Sequence, residues 1–242
     1  MWSIYRQEIR SLFSSLIAYI VIGFFLLVMG LMTWVFPEYS VLDYPYASLE
    51  SFFRLAPTIL TIMIPAITMR SFAEESQTGT LDLLLTRPIT LAQLVWGKYF
   101  AYLSLVLLTL LPTLIYFISL KSLAATPAMV DGGESLSEYL GLALQAASFT
   151  GIGMLASTLS TNQIIAFIAG VFMCFILQWG FVFISKLPGW VGSWDYMIQQ
   201  FGIDAHYTSI SRGVIDSRDL LYFFTLILLS VEASFMVLAS RN

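Results

Sequence analysis

A chain of 242 residues that is 58% hydrophobic and 11% charged, with a mean hydropathy of +0.83, is not a soluble globular domain, since such domains carry roughly 25% charged residues. Its formal net charge of -4 offers no basic stripe for nucleic acid, and a single cysteine, Cys174, excludes an internal disulfide. What remains is an all-α polytopic membrane protein, in which long apolar runs satisfy their own backbone as helices.

The chain starts with an amphipathic pattern over residues 2–12. Trp2, Tyr5, Ile9, Leu12 and Leu16 recur every three or four positions, while Arg6 and Arg10 share another face. This predicts either an elbow helix lying along the membrane surface or an extension of the first span with arginine anchors. The uncharged run from Ser11 to Pro37 predicts a first span over about 14–36, too long for a signal-peptide core and without a small-residue cleavage site. A second span over about 52–70 is short and flanked by Arg54 and Arg70, and Pro57 and Pro65 should bend it.

A polar segment over 71–89 then joins the second span to the third. Glu74 and Glu75 carry charge, Gly79 and Thr80 supply a break and a helix start, and Asp82 falls in the first turn. Leu81, Leu84 and Leu85 share a face and Pro88 stops the helix, so a short leucine-ridged rod is expected at the membrane's inner surface. By residue types alone, a solvated acidic loop with leucines dipping into the interface fits as well.

Thr90-Leu-Ala-Gln93 is a capping box, so the third helix begins before the bilayer and enters it near Trp96, Lys98 and Tyr99, spanning about 96–120 with a kink at Pro112. No charge occurs from Tyr139 to Ser185, which predicts spans over about 138–158 and 163–185 with the turn at Ser157 to Asn162. Ser135-Leu-Ser-Glu138 is expected to cap the fourth. Ala143, Ala147 and Gly151, and then Ala166, Gly170 and Cys174, form small-residue stripes that predict a tight pair between these two helices.

The loop over 186–217 holds Trp190, Trp194, Tyr196, Phe201 and Tyr207, suiting an outer aromatic belt or short re-entrant helices. His206 lacks companions at ligand spacing, so a local hydrogen bond is expected and not a zinc site. Asp216 caps a sixth span over about 218–239, with Asp219 in its first turn. Glu232 lies nine residues from Arg241, about 13 Å inward at 1.5 Å per residue, and is a candidate intramembrane polar site. With the N and C termini cytoplasmic, Arg6, Arg10, Arg70, Arg87, Lys98 and Arg241 fall inside, a weak but correctly signed basic bias.

From Glu75 to Pro88 the chain reads Glu-x3-Gly-Thr-Leu-x-Leu-Leu-Leu-x-x-Pro, which resembles the hallmark of type-2 ABC exporter permeases. Leu55-Ala-Pro57, Ile64 to Phe72, Ser157 to Phe167 and the Arg212-Gly-Val-Ile-Asp216 segment are similar to the gliding-motility-associated GldF group of Bacteroidota, over nearly the whole chain. The resemblance implies one permease domain over 1–242 in the bacterial inner membrane, with an elbow helix and a coupling helix that docks into a groove of the ATPase. It implies the partners too: a cytoplasmic GldA-like ATPase dimer holding ATP and Mg, a GldG-like second membrane subunit with a large extracytoplasmic domain, and lipid. The coupling residues expected are then Glu74, Glu75, Gly79, Thr80, Leu81, Asp82, Leu84, Leu85 and Pro88.

Energy is expected from elsewhere. Gly97-Lys98 is followed by Tyr99, so the chain lacks a Gly-x4-Gly-Lys-Ser/Thr phosphate loop, and no catalytic, cofactor-binding or metal-ligating set is expected in it. An intramembrane enzyme is disfavoured by the lack of an Asp pair and of His-Glu-x2-His. Two alternatives to ATP-driven export stand beside it: a mechanical transmitter that moves extracytoplasmic partners without cargo, and an ion-coupled secondary transporter using Glu232.

Overall fold

With no water in hydrocarbon to bond a backbone N–H or C=O, each apolar run closes its own hydrogen bonds as a helix. The computed structural model describes residues 1–42, 48–80, 90–124, 132–189, 192 and 194–240. Along the chain run α1 (Trp2–Ser14), α2 (Leu16–Trp34), α3 (Glu50–Thr68), α4 (Arg70–Thr78) and α5 (Leu91–Leu110). A 3-10 turn at Leu111–Thr113, containing Pro112, leads into α6 (Leu114–Leu123), followed by α7 (Gly132–Leu159) and α8 (Gln163–Phe175). A π-helical segment, Ile176–Gly180, joins α8 to α9 (Phe181–Ser185). Then come α10 (Asp195–Gln199), α11 (Ile203–Ser211) and α12 (Ser217–Ala239).

Among the described residues six stretches are long and apolar enough to cross a membrane: Leu16–Trp34, Glu50–Thr78, Leu91–Leu123, Gly132–Leu159, Gln163–Ser185 and Ser217–Ala239. Their hydropathy explains their placement. The least apolar, Gly132–Leu159, is 78% buried, whereas the strongly apolar Leu16–Trp34 and Gln163–Ser185 are only 22% and 17% buried. Lipid is as apolar as leucine, so greasy helices lose nothing at the periphery, while one carrying small and hydroxyl residues packs closely at the centre. Accordingly α7 is the axis, packed against α3, α5, α8, α11 and α12.

Proline explains one of these contacts. Pro57 has no N–H for the carbonyl of Phe53, one turn back in α3. The Tyr207 hydroxyl on α11 donates to that carbonyl at 2.9 Å. A second irregularity lies at Met69, between α3 and α4. Ser157 of α7 serves it: its Oγ accepts from the amides of Phe72 and Ala73 at 3.0 and 2.9 Å and donates to the Met69 carbonyl at 2.8 Å. One hydroxyl from a neighbouring helix thus satisfies amides that the start of a helix leaves without partners.

Two expectations are corrected. Ser135 does not cap the fourth span, because the helix already runs from Gly132 and Ser135 is buried within it. The fourth and fifth spans do pack together, but their small-residue stripes do not face each other. A side chain at Gly151 would collide with Ser230 of α12, and the Ala147 carbonyl accepts from Tyr99 of α5 at 3.1 Å. Gly170 of α8 faces Pro65 of α3 as well as Ala156 of α7. Periodicity marks a narrow face but not the helix that fills it. At the sixth span, Asp216 accepts from the Arg218 amide at 3.0 Å. His206 lies 2.6 Å from Asp219 through Nδ1 and donates from Nε2 to the Gln200 carbonyl at 2.9 Å.

Candidate coupling site

Helix α1 ends where Ser15 adopts an extended conformation (φ -93°, ψ 151°), so it is a separate helix from the first span. It lies against α5, where a Cβ on Gly97 would stand 3.0 Å from Ile4 Cγ2 and 3.2 Å from the Met1 carbonyl. Tyr5 shares a 3.1 Å hydrogen bond with Ser104. The spacing of Ile4, Tyr5 and Glu8 puts all three on one face. Glu8 is thereby turned towards α5 and away from solvent.

There it meets Lys98, whose side chain is only 2% exposed. The Lys98 ammonium donates to Glu75 Oε1 at 2.7 Å, to the Ser71 carbonyl at 2.8 Å and to Glu8 Oε2 at 3.3 Å. An ammonium has three donors, so all are used. The Tyr102 hydroxyl, one turn further along α5, donates to the other Glu8 oxygen at 3.1 Å, and the ammonium also lies 5.2 Å from the centre of the Phe72 ring. One lysine therefore ties together α1, α4 and α5. Two carboxylates face one ammonium, and Glu75 Oε2 is buried without a hydrogen bond among the described residues.

Beside this junction, a cavity of about 440 Å³ is bordered by Glu8, Ser11, Arg70, Glu74, Glu75 and Thr80. Arg70 pairs with Glu74 at 3.3 Å and donates to Gln163 at 3.4 Å, linking α4 to the start of α8. Gly79 ends α4 at φ 70°, a left-handed conformation that suits glycine. Thr78 donates to the Glu74 carbonyl at 2.9 Å and lies 2.9 Å from the Thr80 hydroxyl. Thr90 accepts from the Gln93 amide at 3.3 Å and starts α5.

Of the residues expected to couple, Glu74, Glu75, Gly79 and Thr80 are therefore gathered at this end of the bundle. Leu81, Asp82, Leu84, Leu85 and Pro88 lie outside the described residues. Glu232 belongs to α12 and takes no part in the Lys98 junction; it is exposed, and no hydrogen bond or ion pair joins it to the described residues. Sequence reasoning missed Glu8 and Tyr102, put Ser157 in the turn between the fourth and fifth spans although it lies within α7, and treated Lys98 as a charge where a helix enters the bilayer. The available signal was a lysine about two turns inside an apolar helix, which demands a carboxylate from elsewhere.

A family model described as ABC-2 family transporter protein matches residues 50–201, the stretch that holds Glu75, Lys98 and Ser157 but not Glu8. Over 179 residues the chain is 31% identical to the probable multidrug ABC transporter permease YbhR of Escherichia coli strain K12, and equally to the protein of that name in strain O157:H7. The match takes in 72% of this chain but 44% of those relatives, so it spans less than half their length.

Proposed function

This chain belongs to the ABC-2 transporter family, and from that premise we propose that it is the permease subunit through which a separate ATPase drives a helical bundle. The ATPase is a cytoplasmic, GldA-like dimer that holds ATP and Mg, and it grips the segment between α4 and α5 through Leu81, Leu84 and Leu85. That places the Lys98 junction and both termini on the cytoplasmic side of a bacterial inner membrane. The motion serves export; the Escherichia coli relatives are named as probable multidrug ABC transporter permeases. The segments resembling the GldF group link it to gliding motility, beside a GldG-like second membrane subunit.

The observation that carries the reading is the Lys98 junction. A partner's nucleotide state can shift this chain only if the two states differ in their contact free energy with it. A push on the segment after Gly79 reaches α4 directly, and Lys98 passes it on to α5 through Glu75 and to α1 through Glu8. Three helices therefore respond as a unit. The ion-coupled alternative needs ionisable groups collected inside the bundle, and Glu232 faces outward.

Co-purification with the co-expressed ATPase tests the proposal. Gly79→Pro and Leu84→Asp are expected to insert normally, yet to lose ATPase association or to cut stimulated ATP turnover about tenfold or more. Unchanged association and turnover in both variants would overturn the docking role.

A further inference from the structure

The end of the bundle opposite Lys98 holds a second cavity, of about 590 Å³, between α3, α7, the π-helical segment and α11. Three carboxylates from three different helices line it: Glu50, Glu138 and Asp204. Its walls include the rings of Tyr39, Phe53, Trp179 and Tyr207. Arg54, exposed on α3, is the one cation among the described lining residues, so the surface is acidic on balance.

The π-helical turn shapes this wall. A π-turn carries an extra residue, and such turns recur at functional positions. Here it supplies both Gln178, which is 2% exposed, and Trp179. Gln178 accepts from Gln145 Nε2 at 2.6 Å and donates to Asp204 Oδ1 at 3.2 Å, a buried relay that holds the Asp204 carboxylate in place. Behind it, Gln145 Oε1 is buried with no donor among the described residues. Burial pushes the Asp204 carboxyl above its usual range, against the hydrogen bond from Gln178 and the charge of Lys186. A positive charge arriving in the cavity would offset that burial.

Among the described residues no three acidic, histidine or cysteine side chains come close enough to hold one metal ion. The negative charge is instead spread around an aromatic-walled space. That arrangement suits a charge carried on an extended apolar body, which ring faces attract and carboxylates neutralise.

We propose that this cavity binds an organic cation, an ammonium or phosphonium centre bearing aromatic or alkyl groups. The proposal rests on the cavity alone and not on the coupling function, so either can fail without the other. The cationic centre can belong to a free molecule or to the ammonium headgroup of a lipid.

The test uses the full chain in phosphatidylglycerol nanodiscs and measures tetraphenylphosphonium binding against empty discs, with neutral triphenylphosphine oxide as the comparison. Saturable binding of the cation is expected, weakened about tenfold or more by Glu138→Gln and by Asp204→Asn. Thr58→Trp, placed on an exposed lining position of α3, fills the space without removing a charge and should abolish binding. Thermal unfolding identifies any variant that fails to fold, and the remaining variants then decide. Discs containing phosphatidylethanolamine separate the two sources: competition with the probe assigns the site to a headgroup, and its absence assigns it to a free cation. The proposal is overturned by no saturable binding, by equal binding of the neutral compound, or by unchanged binding in all the folded variants.

Discussion

Lys98 joins three helices through one side chain. Its ammonium is 2% exposed and shares its protons among two carboxylates and one carbonyl. Removing one partner of a buried pair leaves an uncompensated charge, at a cost of about 3–5 kcal/mol. Lys98→Met should therefore lower stability by about that amount in thermal unfolding of the purified chain, because Glu8 and Glu75 would then face each other. Adding Glu8→Gln and Glu75→Gln should recover most of the loss, whereas a triple variant no better than Lys98→Met would argue against the junction. Sequence shows why such a site is hard to foresee. The partners of Lys98 lie 23, 27 and 90 residues away, and an isolated lysine beside Trp96 reads equally well as an anchor at the bilayer surface.

Between helices, α3 and α7 cross closely at Gly153. A Cβ on Gly153 would collide with the Thr68 hydroxyl and stand 3.5 Å from Pro65 Cα. Overpacking of this kind costs typically about 1–3 kcal/mol. Gly153→Ala should lower the unfolding temperature accordingly, and Thr68→Ala in the same chain should restore part of it. The restoring change is cheap, since the Thr68 hydroxyl bonds only within its own helix, to the carbonyl of Ile64 at 2.9 Å. If the double variant is as unstable as the single one, α7 does not approach α3 through this glycine. The apolar runs made the existence of such helices legible, and Thr90 and Asp216 marked two of their starts. Their neighbours were not legible, because a stripe such as Ala147 and Gly151 offers a groove to any helix, and here α12 and α5 fill it. The start of α7 was missed because Ser135-Leu-Ser-Glu138 has the pattern of a cap, yet the helix already runs from Gly132.

At the scale of the whole molecule, burial falls from the central α7 to a periphery that is almost entirely apolar, and Glu232 interrupts that pattern. It shares a face of α12 with Leu228 and Met236, which are 51% and 65% exposed, while Ser230 and Ser234 turn inward. Seven residues before the end of the helix, it sits about 10 Å from that end. A lipid-facing carboxylate within a membrane helix carries a cost that reaches roughly 2.5–3.5 kcal/mol on insertion scales at the helix centre and falls towards its ends, and nothing among the described residues offsets it. In the assembly proposed above, the second membrane subunit would bring a donor to that depth. Glu232→Leu should consequently insert better and unfold at a higher temperature when the chain is purified alone, but retain less of the second subunit on co-purification. Glu232→Gln keeps a hydrogen-bonding group and should fall between the two. Equal retention of the second subunit by wild type and Glu232→Leu would place that contact on another face, leaving the bundle and the Lys98 junction unaffected.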